Sequence, residues 1–306
     1  MGAVTVCIFS FNRERFLRNC VESVRACMPY ANIAIFDDDS TDPDTRRYLA
    51  EASSYCEIVA PQTVGTIKHG GLYHNMNAAL ELFKGSQFVC FLQDDTQVVR
   101  PVCEEEFDKI DQIFEENAQL GFIHPCFIRG VDLIKRPVDA LPGPGNEFYF
   151  RKDTGQSAGI HYSDLVIFKP MRLIRAGWEF QQSEPANDRQ AKALFGMMLY
   201  MWLPFAMWLP EVPAYRGKNK TLGLKLAERK KNVGFYPFRV WRQEDIVQAR
   251  AQGNYQLPVA ESFLQCVADT PPKPWTYNPL TGLTGLKYLN NLEVAVRRWF
   301  KRIVKM

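Results

Sequence analysis

The sequence predicts an α/β protein built on a Rossmann-like, mostly parallel sheet flanked by helices. Three observations carry this expectation. Apolar, largely β-branched or aromatic runs at Val4–Phe9, Ile33–Phe36, Ile58–Val59 and Phe88–Leu92 read as strands covered on both faces. Helical periodicity fills the intervals, giving strand–helix units of roughly thirty residues and hence right-handed parallel crossovers. Three of the runs stop at a polar cluster: Ser10-Phe11-Asn12-Arg13, Asp37 to Asp42, and Asp94-Asp95. Carboxyl ends of parallel strands are where such sheets collect ligands.

Taken in order, Phe16, Leu17, Cys20, Val21 and Val24 follow the first strand at helical spacing, and Pro29 ends that helix. After the second strand, Thr41 or Asp42 is placed to cap a helix through Tyr48 and Leu49. Asp39 and Asp42 read as turn and cap residues. Gly65 to Gly71 is a Gly-containing stretch with Lys68 and His69. Leu72, Met76, Ala79, Leu80 and Phe83 mark the next helix, which leads to the Phe88 strand. Residues 101–121 read as an acidic amphipathic helix, 121–125 as a strand, 137–147 as a Pro- and Gly-rich loop, and 162–168 as a further strand. A helix is expected over 188–196. Residues 193–210 carry no charge. Their length reaches the lower bound for a membrane span, but Pro204 and Pro210 favour a buried helix end followed by a strand. Beyond a helix near 243–251, residues 233–283 show no clear pattern.

Net charge is +3, but it is unevenly spread. Residues 1–215 hold 20 Lys and Arg against 28 Asp and Glu, whereas 216–306 hold 17 against 6. A basic C-terminal third points to an anionic partner: a phosphate-bearing substrate, a membrane surface or nucleic acid. Nucleic acid is disfavoured, because the surplus lies in a loop (215–232) and a tail with no recognised module. The eight cysteines form no CxxC and sit largely in apolar strands. Together with the lack of a signal segment, this reads as a cytoplasmic protein. The last residues, 285–306, set Leu286, Leu289, Leu292, Val296, Trp299, Phe300 and Ile303 at helical spacing among Lys and Arg. Such a basic amphipathic helix suits the inner face of a membrane; a helix docked on the domain, or on a second subunit in a homodimer, is its rival.

The Asp94-Asp95 pair at a strand end suits a hard divalent cation, Mn²⁺ or Mg²⁺, which takes carboxylate and phosphate oxygens. Phe11 is placed to stack on a base, and Asp37 or Asp38 to accept from a base N–H or a ribose hydroxyl. In order and spacing these motifs resemble the family two glycosyltransferases with the GT-A fold. The resemblance rests on strand-Ser-Phe-Asn-Arg, on Phe36-Asp37-Asp38-Asp39-Ser40-Thr41-Asp42, on Asn77-Ala78-Ala79-Leu80-Glu81 with Gly85, and on Gln93-Asp94-Asp95 as a version of DxD. It covers residues 3–100 best and extends to Gly177-Trp178-Glu179, similar to the family's GGFDE segment.

The resemblance implies a metal-dependent, inverting, non-processive transfer of a sugar from a nucleotide sugar, a UDP-sugar in first place, to a hydroxyl acceptor. Lipid-linked acceptors are among those implied, as in the synthesis of cell-surface polysaccharide, lipopolysaccharide or glycolipid. It assigns Phe9, Phe11, Asn12, Arg13, Asp37, Asp38, Asn77 and Asp94 to the nucleotide sugar, and Asp95 and Asp94 to the metal. The catalytic base falls on Asp188, with Glu184 in reserve, since Asn187 replaces the acidic residue that precedes the base in the family. The implied organisation is a catalytic domain over 1–232, with a nucleotide-sugar half (1–100) and an acceptor half (101–232). An irregular acceptor-side extension (233–284) and the C-terminal helix (285–306) follow. A nucleotidyltransferase, or a non-catalytic nucleotide-binding or scaffold protein on the same fold, are the alternatives.

Overall fold

The computed structural model describes residues 3–60, 71–135, 138–152, 159–213, 220–251, 256–268 and 271–303. All seven residues of β1 (Val4–Ser10) are buried, because helices cover both faces of the sheet at this point. α1 (Glu14–Cys27), β2 (Asn32–Asp37), α2 (Pro43–Ala52), β3 (Glu57–Val59), α3 (Gly71–Leu82) and β4 (Phe88–Gln93) follow. β1 pairs in parallel with β2 and with β4, and β2 pairs with β3. The register sets Ser10 beside Asp37 and Phe9 beside Gln93, so the polar strand ends come level at one edge.

The second half contains β5 (Thr96–Val98), α4 (Glu104–Glu116), β6 (Ile123–His124), α5 (Gly130–Lys135), β7 (Ala140–Pro142), β8 (Phe148–Arg151), β9 (Ile167–Phe168), α6 (Pro170–Arg175), α7 (Glu184–Leu194), β10 (Leu199–Met201) and β11 (Ala206–Trp208). Helices α8 (Leu222–Lys230), α9 (Gln243–Ala251), α10 (Ala260–Phe263) and α11 (Thr284–Ile303) complete the chain. The sheet has nine strands in the order β3-β2-β1-β4-β9-β6-β10-β8-β7. Only β9 and β8 run against the rest. A mostly parallel sheet with helices on its faces is the architecture expected of the GT-A fold.

Alternation along β1 divides the core. Val4, Val6 and Ile8 face one cluster with Leu17, Val21 and Ile35, while Cys7 and Phe9 face the other with Phe36, Phe91, Phe168 and Phe180. Each large side chain so buried contributes about 1.5–3 kcal/mol. A third cluster, Phe16, Val99, Phe127, Leu209, Phe238, Trp241 and Trp275, organises the 233–283 stretch. There α9 forms where the sequence places it, and the remaining aromatics seal the β5–β11 ribbon.

Several elements differ from expectation. The strand expected over 162–168 shrinks to β9, because the N–H groups of Ile160, His161 and Tyr162 donate to Asp188 Oδ1 instead of to a ladder. The helix expected from Asp188 begins at Glu184; Pro185 fits its first turn, where a missing N–H costs nothing. The loop expected over 137–147 contains β7, paired antiparallel with β8. The acidic helix is trimmed to α4. Uncharged residues 193–210 form β10 and β11 inside the core, and among the described residues no helix is long and apolar enough to cross a membrane.

The basic stretch 215–232, expected as a loop, is helical from Leu222, with the Thr221 hydroxyl accepting from Leu224 N at 3.1 Å. Tyr215, Arg216 and Lys218 lie outside the described residues, as do Lys68 and His69. α11 packs on α8 at Gly223, where an added Cβ would stand 2.7 Å from Leu286 O and Asn290 N.

Candidate active site

The β1 end is built to hold the β2 and β4 ends. Asn12 has φ 52°, a left-handed turn that aims its amide at the next loop. Its Oδ1 accepts from Thr41 N and Asp42 N at 2.7 Å each, and its N–H donates to Ser40 Oγ at 2.8 Å. Asp42 caps α2, accepting from Thr45 N at 2.8 Å. Asp37 accepts from Ser40 N at 2.7 Å and from Ser40 Oγ at 2.6 Å. Burial, against these bonds, raises the Asp37 carboxyl above its ordinary pKa, and burial followed by the charge of Asp39 raises Asp38. The Asp38 carboxylate lies against Gly71 at the start of α3, where any Cβ would clash at 2.2 Å. Phe11, half-buried, remains at the opening, and its N–H donates to Asp94 Oδ2 at 3.3 Å.

Arg13 joins the two carboxylates of the β4 end: its Nη1 lies 3.2 Å from Asp94 Oδ1 and 2.7 Å from Asp95 Oδ2. Burial pushes the Asp94 carboxyl well up; Arg13 pulls against this, and Asp95 adds to the rise. Asp95 Oδ1 is buried with no hydrogen-bond partner among the described residues. A buried carboxylate oxygen is costly when left unmatched, so the pair fits a divalent cation that takes its other ligands from phosphate and water. Among the described residues no group of three or more His, Cys, Asp or Glu side chains is placed to hold a metal; a site here would rest on Asp94 and Asp95.

A second group of carboxylates stands one strand away. The pairing of Val89 with Phe168 and Cys90 with Ile167 continues through the Phe91 N to Val166 O bond, bringing Asp164 alongside the Gln93 end. Tyr73 Oη of α3 donates to Asp164 Oδ2 at 3.1 Å. Burial, then the nearby charge of Glu184, pushes the Asp164 carboxyl to about 7. Glu184 is also raised, first by burial, with Arg129 opposing. Arg129 is pinned by Asp132 at 2.7 Å and flanked by the rings of Trp208 and Tyr277 at 5.3 and 5.5 Å. Asp164, so raised, can hold and exchange a proton near neutrality, and Glu184 is shifted in the same sense.

Asp188 is placed otherwise. Its Oδ1 accepts from the N–H groups of Gly159, Ile160, His161 and Tyr162 at 2.9–3.1 Å, fastening that segment to α7. Asn187, fully buried, accepts from Gln181 N at 2.6 Å and donates to Gln181 O at 3.2 Å. Asn77 likewise clamps Phe180, accepting from its N–H at 2.8 Å and donating to its carbonyl at 3.0 Å. Phe9 is 5% exposed and packs edge-on to Phe91 at 4.9 Å. Asp37, Asp38, Asp94, Asp95, Phe11, Asn12 and Arg13 thus come together at one edge. Asn77 and Phe9 are instead engaged within the fold.

Asp164, Arg129 and Tyr73 were not singled out by sequence. The one available signal was Asp164, an acid directly ahead of an apolar run.

The family description "Glycosyl transferase family 2" matches residues 5–131. No curated protein matches the chain by sequence. Among solved structures, the mannosyltransferase PcManGT from Pyrobaculum calidifontis, in complex with GDP-Man and Mn²⁺, is 14% identical over 94% of this chain and 70% of its own, with a TM-score of 0.42. Glucosyl-3-phosphoglycerate synthase from Mycobacterium tuberculosis, in complex with Mn²⁺, UDP and phosphoglyceric acid, is 12% identical over 75% of each chain, with a TM-score of 0.41. Residues 1–349 of S. aureus TarS are 13% identical over 64% of this chain, with a TM-score of 0.41, and this chain spans 57% of that one. Likenesses at this level describe those proteins alone. The family match itself runs from β1 into α5 and takes in Asp37, Asp38, Asp94 and Asp95, so over residues 5–131 this chain is similar to glycosyl transferase family 2.

Proposed function

We propose that the protein transfers a sugar from a nucleotide diphosphate sugar, a UDP-sugar in first place, to an acceptor hydroxyl, with inversion at the anomeric carbon. The observation carrying this reading is the convergence of two distinct carboxylate groups at one sheet edge. One, Asp94–Asp95, is suited to cation and diphosphate; the other, Asp164–Glu184, to a proton. In this reading Phe11, Asp37 and Asp38 receive the nucleoside, whose base stacks on the half-buried ring and whose N–H and hydroxyl groups meet the carboxylates. Asp95, with Asp94, holds Mn²⁺ or Mg²⁺. The cation supplies charge neutralisation for the departing diphosphate. Arg13 keeps the two carboxylates paired and oriented.

The acceptor oxygen attacks the anomeric carbon as the bond to the diphosphate oxygen breaks, and the hydroxyl proton passes to a carboxylate. Glu184, raised in pKa and steered by Arg129, is our assignment for that acceptor, with Asp164 modulating it. Asp188, the first choice of base from sequence with Glu184 in reserve, acts in this reading as a positioning residue that anchors 159–162. A single displacement of this kind inverts the carbon. The test is nucleotide release: with Mn²⁺ and a panel of UDP-, GDP- and TDP-sugars, at least one donor should be slowly hydrolysed. No turnover of any donor, with metal present, would refute the transferase reading.

A further inference from the structure

Among the described residues, helix α11 meets α8 along one stripe. Gly223 of α8 approaches Leu286 and Asn290. Thr221 Oγ1 lies 2.6 Å from Asn290 Oδ1, Leu222 N donates to Glu293 at 2.7 Å, and Arg297 reaches Lys220 O at 3.4 Å. These partners recur at three- and four-residue steps, so they define one helix face. A neighbouring face carries Tyr288, Leu292, Val296 and Trp299, which are 72%, 52%, 44% and 58% exposed, and Phe300, 55% exposed, borders it beyond the last contact with α8. Leu222 and Leu226 of α8, 55% and 38% exposed, add to the apolar surface of the same helix pair. Residues 284–306 hold six Lys and Arg against the single Glu293, which is itself engaged by Arg297 at 2.5 Å.

We propose that this α8–α11 surface docks on an anionic lipid bilayer, with α11 lying in the interface. An aromatic and aliphatic stripe on a helix whose polar side is cationic matches an interfacial helix. Attraction to anionic headgroups adds to each basic side chain's contribution. This inference does not depend on the transferase reading.

The test is sedimentation of the full chain with vesicles of phosphatidylcholine alone or mixed with phosphatidylglycerol. Binding is expected only to the mixed vesicles and should be released by high salt. Arg298→Gln with Arg302→Gln, or Trp299→Ser with Phe300→Ser, should weaken it by about tenfold or more. Tryptophan fluorescence should be quenched by brominated lipid in the parent protein and less so in Trp299→Phe, a variant that keeps the apolar face. Absence of binding to the anionic vesicles, or variants that bind like the parent, would overturn the proposal. So would a self-association in sedimentation velocity that Trp299→Ser abolishes, since a second copy would then own the face. Donor hydrolysis without vesicles should be unchanged in all these variants, which separates this result from the fate of the transferase reading.

Discussion

Arg13 Nη1 sits 2.7 Å from Asp95 Oδ2, and the same nitrogen lies 3.2 Å from Asp94 Oδ1. One guanidinium therefore serves two adjacent carboxylates that would otherwise repel each other in a poorly solvated site. A divalent cation bound by the same pair would take over part of this work.

It follows that Arg13→Met should destabilise the protein in the absence of metal, leaving two carboxylates without their counter-charge. The expected loss is about 2 kcal/mol, below the figure for a fully buried pair because Arg13 and Asp95 each keep 18% exposure. Added Mn²⁺ should raise the melting temperature of Arg13→Met more than that of the parent. Thermal melts with and without Mn²⁺ check this, and equal shifts would show that cation and guanidinium do not share those oxygens.

Asp188 and Glu184 lie on one helix yet should fail differently. Asp188→Ala removes an oxygen that accepts four N–H groups and should cost about 2–4 kcal/mol. Hydrogen exchange at Ile160, His161 and Tyr162 should accelerate in parallel. Glu184→Gln should keep the melting temperature and donor affinity while lowering kcat by about 10²-fold or more. A Glu184→Gln enzyme with normal kcat would move the proton acceptor elsewhere.

The Asp164–Glu184 pair sets a pH dependence. Burial first, and mutual repulsion second, raise Asp164 from 3.8 to about 7. Between those values the folded protein holds a proton that the unfolded chain has released, so stability should fall as pH rises across the window. Transfer should change in the opposite sense, with kcat/KM rising with pH as Glu184, raised by burial, deprotonates. Asp164→Asn should flatten the stability slope, since the group that holds the proton in that window is gone. Denaturant melts and rate profiles at several pH values measure both.

Asn77→Ala should act on stability and leave the donor untouched. Its amide bonds Phe180 in both directions, at 2.8 and 3.0 Å, and the N–H and carbonyl of this buried residue would lose their partners. A loss of about 1–3 kcal/mol is expected, with the donor KM unchanged. A raised KM with normal stability would return Asn77 to the nucleotide-sugar pocket.

The first hundred residues were legible because local signals and tertiary structure agree there. Continuous apolar runs give β1, β2 and β4, and register alone brings Ser10, Asp37 and Gln93 level. Where side chains replace the backbone's usual partners, the pattern misleads. Residues 162–166 read as strand by composition, but Asp188 draws in the amides just before and at Tyr162. Asp164 escaped notice because its importance comes from the β4–β9 pairing, which joins residues far apart in sequence. The third core escaped for a similar reason: Phe238, Trp241 and Trp275 follow no helical or strand period, and only their packing on Phe16 and Val99 organises them.

In the proposed function, Asp95 marks the cation and diphosphate end of a nucleotide-sugar site. Calorimetric titration of UDP-, GDP- and TDP-sugars into the parent protein and into Asp95→Ala, each with and without Mn²⁺, tests it most directly. One donor should bind the parent only with metal, and Asp95→Ala should lose this metal-dependent binding while keeping its fold. Metal-independent binding that survives Asp95→Ala unchanged, or no binding of any donor, would contradict it.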